Sequence, residues 1–356
     1  AELFIPYAFA TVETMLPRIL ATDPKMVVRP RNPNARESAL RTKELLEAQQ
    51  AEINYHLKLQ PTAKRGLIFG LGVQKTFWER KVRMVMRTVP SAHNPLEYAA
   101  QEMPQVLHEG PQVEDVDIFH FFWDPMARDI ESAEWVIHRV YRSFDYVRKK
   151  IESGEWLAYD LDEIKGKGSA NELVTIQAER LEAAGLDKFE PQAQAKEGDD
   201  LHEVWEYHDR ENVYTVLDRR LVVQVAKTPF YHRELPFQIY RPTIVPGEFV
   251  GIGEIEPIVH LQYELNALRS QRRDNATIVL QKAFAYANGL VEPDDLVIGP
   301  GKAIPVQGLP RDVIMPIEVG EIPGSSYQEE NVLKEDIERT TGVSDALAGG
   351  AAGGTA

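Results

Sequence analysis

The stretch EIEPIVHLQYELNALRSQRRDNATIVLQKAFAYANGLVEPDDLVIGPGKAIPV (254–306) decides how the chain is organised. Its first half reads as one long helix over 254–281. Pro257 falls in the first turn, where a missing N–H leaves no helical bond unmade. Ile258, Leu261, Leu265 and Leu268 follow at spacings of 3, 4 and 3 and form a narrow apolar stripe. A stripe that narrow suits packing against another helix rather than burial on all sides. The second half changes character. Residues 283–323 carry Pro293, Pro300, Pro305, Pro310, Pro316 and Pro323 with several glycines, which permit only short strands and turns. A second helix is expected at 326–341. Ser325 with Gln328 has the spacing of a capping box, and Gly342 is a natural C′ residue. The chain ends DALAGGAAGGTA (345–356), a small, glycine-rich segment whose one charge is Asp345.

Working outward towards the N-terminus, residues 1–20 read as a helix with Leu3, Phe9, Val12, Leu16 and Ile19 near one face. KMVVRP (25–30) reads as a short strand closed by Pro30. Residues 34–59 read as a long amphipathic helix with Ala39, Leu46, Ile53 and Leu57 on one stripe, and a third helix is expected over 60–71. Strands are expected over 72–79, 81–89 and 118–125, with an irregular, proline-containing stretch at 90–116. Residues 133–154 mix strand and helix signals. The polar, acidic stretch 154–200 reads as an exposed insertion with a helix at 170–184. HEVWEYHD (202–209), NVYTVLD (212–218) and RLVVQVAK (220–227) read as a β-meander, with a further strand over 237–244. No internal repeat is visible. The fold class is therefore α+β.

Composition narrows the function. With 356 residues, 43% of them hydrophobic, the chain can build a sizeable core divided over two or more units. No apolar run approaches the roughly 18–20 residues of a membrane span. The opening AELFIPYAFA has no basic n-region ahead of an apolar h-region and is not read as a signal peptide. There is no cysteine, which excludes disulfides, cysteine-based zinc sites and thiol nucleophiles. The net charge of −15 repels DNA on average. It argues against a sequence-reading DNA binder but suits a passage through which DNA must slide.

The motifs that would signal catalysis fail on chemical grounds. GPGKA (299–303) has Leu296 and Ala303 where a phosphate loop needs Gly and Ser or Thr. GIGEIE (251–256) has Glu256 in place of a third glycine and reads as a strand-to-helix hinge. Asp160, Asp162 and Glu163, or Asp115 with Asp117, could gather a hard cation, but acidic loops of an acidic protein are ordinarily solvated. His120 reads as a packed residue. No His-Glu-x-x-His or Gly-x-Ser-x-Gly is present, and no cofactor or metal is expected. Arg269, Arg272 and Arg273 cluster on the long helix. They could hold phosphate, or they could form salt bridges between subunits, with Asp274 and Glu264 nearby.

The stretch 254–306, with YAFATVETMLPRIL (7–20) and DIERTTGVSDAL (336–347), resembles the portal proteins of tailed phages, those of podovirus-like phages in particular. The resemblance implies a subunit of a ring, usually of twelve copies, and no enzyme. It implies a mixed α/β wing over 1–250, a first stem helix over 251–282, a small β-containing clip over 283–324 and a second stem helix over 325–344. Residues 345–356 would start a tunnel loop. Asp345, Ala346, Leu347, Gly349, Gly350, Ala351, Ala352, Gly353 and Gly354 would then line the DNA channel. Ile258, Leu261, Leu265, Leu268, Arg269, Arg272 and Arg273 would face neighbouring subunits. Family members continue past this loop into a long kinked helix and a crown or barrel, whereas Ala356 is the last residue here. The implied partners are further copies of the chain, double-stranded DNA in transit, the large terminase subunit, major capsid or scaffolding protein, and tail or adaptor proteins. The implied location is the portal vertex of the virion, after assembly in the host cytoplasm. A tail adaptor ring, or a metal-dependent nuclease using the Asp160 cluster, are the competing readings. The helix–clip–helix order separates the portal from the first, and metal-dependent DNA cleavage would reveal the second.

Overall fold

The computed structural model describes residues 5–21, 26–90, 98–166, 201–280, 284–286, 309, 313–316 and 324–343. It is a mixed α+β protein. Two compact units divide the chain: residues 18–254, and residues 1–17 together with 255–356.

In the unit formed by 18–254, the expected strand at 25–30 is absent. Residues 26–30 have no regular structure, and Val27 is exposed. Helix α2 (Arg36–Glu52) and helix α3 (Tyr55–Phe69) replace the single helix expected over 34–59 and the separate one at 60–71. The break falls at Asn54, whose left-handed backbone (φ 51°) ends one helix and starts the next. Asn tolerates that region better than most residues, so one short residue relocates the boundary. Leu57, expected on the buried stripe, is consequently exposed.

Strand β1 (Gly72–Pro90) runs through the two strands expected at 72–79 and 81–89 and pairs antiparallel with β2 (Tyr98–Val116) along its length. The stretch 90–116, expected to be irregular, is thus mostly strand. Pro104 and Pro111 masked it. They are tolerated because β2 is the outer strand of its sheet, where an absent N–H faces no neighbour. Strand β3 (Phe121–Trp123) follows a 3-10 turn at Ile118–His120, which Asp117 caps by accepting from the Phe119 amide. Strand β4 (Trp135–Ser143) leads into helix α4 (Phe144–Glu152), capped by Ser143. The short helix α5 (Leu161–Ile164) follows. Strands β5 (Leu201–Asp209), β6 (Asn212–Leu217) and β7 (Leu221–Lys227) form the expected meander. They extend a five-stranded antiparallel sheet in the order β3-β4-β5-β6-β7. Strand β8 (Phe237–Tyr240) pairs instead with residues 72–75 of β1, making the three-stranded sheet β2-β1-β8.

The inner face of the five-stranded sheet carries two apolar cores. Val136 and Phe121 pack with Leu71, Val73, Phe237 and Phe249. Val204, Leu217 and Val223 pack with Val147 of α4, Trp156 and Ile164. Residues 154–166, expected to be part of an exposed insertion, therefore contribute core. The helix expected at 170–184 lies outside the described residues. At the end of the unit Gly251 and Gly253 come against the backbone of Gly70 and Ile68. A Cβ on Gly251 would lie 2.3 Å from the Thr243 carbonyl oxygen, and one on Gly253 2.6 Å from that of Ile68. The Gly251 amide donates to the Gly70 carbonyl. GIGEIE is thus a close-packed backbone junction.

The other unit holds helix α1 (Tyr7–Ile19, its last two residues beyond the unit boundary), α6 (Val259–Leu280) and α7 (Ser325–Thr341). A 3-10 turn at Glu256–Ile258 with Pro257 inside it precedes α6. Between α6 and α7, strands β9 (Phe284–Tyr286) and β10 (Ile314–Pro316) pair antiparallel. Gly342 ends α7 in the left-handed conformation (φ 68°), as expected. The expected capping box is not formed, because Ser325 is already helical and Gly324 takes the cap position without a side-chain bond.

Candidate functional site

The helix pair α6/α7 concentrates the residues singled out in the sequence. Ile258 and Leu265 are completely buried against Leu333 and Ile337 of α7. Leu261 and Leu268, half-buried, pack on the same cluster together with Ile5, Tyr7 and Ala8. The stripe expected to face a neighbouring subunit is therefore largely occupied inside the chain. Its partners are an apolar stripe on α7 and the N-terminal residues, which close over it. Side-chain amides of α6 hold that N-terminal segment. The Ile5 amide donates to Asn266 Oδ1 (3.0 Å), the Ala8 amide to Gln262 Oε1 (3.1 Å), and Gln262 Nε2 donates to the Ile5 carbonyl (2.7 Å).

The arginine cluster is likewise committed within the chain. Arg269 Nη2 donates to Glu330 Oε1 at 2.6 Å, Arg272 pairs with Glu330 Oε2, and Lys334 Nζ lies 2.8 Å from Glu330 Oε1. The Arg272 guanidinium also lies over the Tyr327 ring, 4.7 Å from its centroid. Glu330 and Arg272 are both buried. The salt bridges expected between subunits are, for Arg269 and Arg272, contacts within one chain. A planar guanidinium that pairs with a buried carboxylate and stacks on an aromatic ring is a clamp between two helices. Arg273 is exposed. Glu330 escaped the sequence reading, although a signal existed: it precedes Leu333 and Ile337 at spacings of 3 and 4, so it sits on the apolar stripe of α7. A carboxylate on such a stripe needs a cation across the interface.

A second charged centre lies on the inner face of the five-stranded sheet. Glu206 pairs with Lys75 of β1, and His138 Nδ1 and His208 Nε2 each lie 3.7 Å from its Oε2. Burial alone would raise the Glu206 carboxyl, but the Lys75 ammonium and the two imidazoles outweigh it and hold the group well below the usual carboxylate range. Burial, with Lys75 nearby, pushes His208 below the ordinary imidazole value despite the neighbouring Glu206 carboxylate. Nothing in the spacing of these residues announces the cluster, because it is assembled from three strands of two different sheets.

The remaining candidates are structural. Asp160 caps α5 by accepting from the Asp162 amide. Asp115 accepts from Thr62 and from Arg65, which also reaches Asp117. His120 Nδ1 accepts from Arg139. Among the described residues, no group of three or more His, Cys, Asp or Glu is placed to hold a metal ion, and no helix is long and apolar enough to cross a membrane. GPGKA (299–303) and the proposed channel residues Asp345, Ala346, Leu347, Gly349, Gly350, Ala351, Ala352, Gly353 and Gly354 lie outside the described residues.

Two helices are thus clamped face to face, with a short antiparallel strand pair between them in sequence. The family model of the phage SU10 portal protein matches residues 100–353, from β2 through the end of α7, and the chain belongs to that family. The family is one of structural virion proteins. No curated protein matches the chain.

Proposed function

We propose that the chain is one subunit of a homo-oligomeric ring, of twelve copies by the family resemblance, through which double-stranded DNA passes during genome packaging and ejection. The observation that carries this reading is the family match over residues 100–353, which spans the whole helix–strand pair–helix segment. In this reading 1–250 is the wing, α6 and α7 are the stem, 283–324 is the clip between them and 345–356 begins the tunnel loop. The clip docks the terminase motor during packaging and tail or adaptor proteins afterwards, and the wing contacts capsid or scaffolding protein. The ring sits at the portal vertex of the virion after assembly in the host cytoplasm. The internal commitment of Arg269 and Arg272 supports the reading, because it leaves few fixed phosphate ligands on the stem and so lets DNA slide.

Electron microscopy of the purified complete protein tests the assignment. Rings with a central hole are expected, and native mass spectrometry should give one dominant oligomer. Monomers alone under assembly conditions would end it.

A further inference from the structure

The cluster at Glu206 stands where the two sheets of the unit 18–254 meet. Glu206 and His208 are alternate residues of β5, and His138 of β4 pairs directly with Glu206, so all three share the inner face of the five-stranded sheet. Lys75 comes from the other sheet. It pairs in register with Phe237 of β8 and is the last residue of β1 to pair with that strand. Beyond it β1 continues with β2 alone, as a two-stranded ribbon. The Lys75–Glu206 ion pair therefore ties the root of that ribbon to the five-stranded sheet. Phe237 lies completely buried beside it, and its ring meets those of His138 and His208 at near right angles, 6.1 and 5.2 Å between centroids.

The imidazoles are placed to compete for the same carboxylate. His138 Nδ1 and His208 Nε2 are buried, each 3.7 Å from Glu206 Oε2, and neither nitrogen has a hydrogen-bond partner among the described residues. That separation is just longer than a hydrogen bond, and a small approach closes it. Once protonated, both ring nitrogens of a histidine donate, whatever its tautomer before, and the bond gained to a carboxylate is charge-assisted. The inner strand positions around the cluster carry no further charge: they are Phe121 of β3, Val136 of β4, Val204 of β5, Val213 and Thr215 of β6, and Phe237 of β8. Glu131, Arg210, Glu211, His232, Arg233 and Glu234 line a depression that Phe237 also borders, where solvent screens them. On β2, Glu114 lies opposite Lys75 and is exposed.

We propose that the cluster is an acid-operated latch at the root of the β1/β2 ribbon. Protonation of His138 and His208 transfers Glu206 from Lys75 on the opposite sheet to the histidines of its own sheet, and the ribbon root loses its polar tie. Charge decides which partner leaves. With both imidazoles neutral, the cluster holds one carboxylate and one ammonium. With both protonated, three cations surround one carboxylate, and the charges of Lys75 and His138 already oppose a proton on His208. The imidazoles are fixed by burial against Phe237. The ammonium is strongly hydrated and rides on a flexible stem, so Lys75 is the cation expelled. Glu114 gives it an anion on its own sheet. The apolar core of Val73, Phe121, Val136 and Phe237 stays closed, so the change is local to the root.

Hydrogen–deuterium exchange of the complete protein tests the latch. It is read by mass spectrometry at pH 7 and pH 5, corrected for the intrinsic rate at each, with the oligomeric state the same at both. Peptides covering 72–80 and 236–240 should exchange roughly fivefold faster at pH 5, while those of the β5–β7 meander change little. Lys75→Met keeps the apolar stem, removes the tie and should give the faster exchange at both pH values. His138→Asn with His208→Asn should give the slower exchange at both. Equal protection of the root at pH 7 and pH 5 in the unmodified protein overturns the latch without any variant. Loosening spread evenly over the chain overturns it too, since that is ordinary acid unfolding. So does a pH response that survives in the double histidine variant, or unmodified protection at pH 7 in Lys75→Met. If the double variant does not fold, each single histidine variant should show a reduced response, and an undiminished response in both overturns the proposal.

Discussion

Both units of the molecule surround a carboxylate with cations, Glu330 buried and Glu206 partly exposed, but the cations differ in kind. In the helix pair Glu330 is held by two arginines and a lysine. On the sheet Glu206 is held by one lysine and two histidines. Guanidinium stays charged at any pH a protein meets, whereas imidazole changes charge near neutrality. The helix clamp should therefore be indifferent to mild acid, and the sheet cluster should not. The comparison teaches that burial of a charged group says little until the partners are named. The same acid can act as a permanent fastener or as a pH-sensitive one.

The sharpest way to break the comparison is to remove the acid of the helix clamp. Glu330→Ala leaves Arg272 buried without a counterion, and losing one partner of a buried pair costs about 3–5 kcal/mol. Chemical denaturation should show that loss, and it should persist from pH 5 to pH 8. A loss below about 1 kcal/mol, the level of a surface pair, would mean the clamp is solvated.

A second test probes the backbone junction on which neither cluster depends. Gly251→Ala places a methyl against the Thr243 carbonyl oxygen, a rigid backbone atom, at 2.3 Å. Overpacking of this kind costs about 1–3 kcal/mol, and a lowered midpoint in urea would register it. An unchanged midpoint would show that the junction gives way freely.

The third test concerns acid. His208 has a folded value below its ordinary 6.5, so the unfolded chain binds its proton first. Its contribution to stability is full above about pH 6.5 and is lost as pH falls below that towards the folded value, with a slope of at most about 1.4 kcal/mol per pH unit. Glu206, held below its ordinary 4.5, adds a further loss as pH falls from there through its own folded value. The melting temperature should fall between pH 7 and pH 5, and His208→Asn should flatten that dependence. An equal slope in the variant would remove His208 from the account.

The smallest effect is expected at Ser325. Its side chain makes no capping bond, so Ser325→Ala should change stability by less than about 0.5 kcal/mol, rather than the ~1 kcal/mol of a true cap. A loss near the larger figure would restore the capping box expected from spacing alone.

Legibility followed the range of the interactions. The long helix α6, the β5–β7 meander and the Gly342 stop were readable because apolar periodicity and a left-handed cap are local signals. Strand β2 was not, because prolines at 104 and 111 read as breakers until an outer-edge position makes them harmless. The break at Asn54 was hidden because a single left-handed residue leaves no periodic trace.

What the sequence determined by itself is the α+β class, the helix–strand pair–helix order and the resemblance that the family match bears out. Periodicity, punctuation and composition suffice for these, since each is written within a few turns or strands. Tertiary structure alone decided where the charges and apolar stripes are spent. Arg272 meets Glu330 across 58 residues, and Lys75 meets Glu206 across 131. Pairings at such separations depend on register and helix rotation, which only the folded chain sets. For the same reason, the stripe at Ile258 and Leu265 became interior.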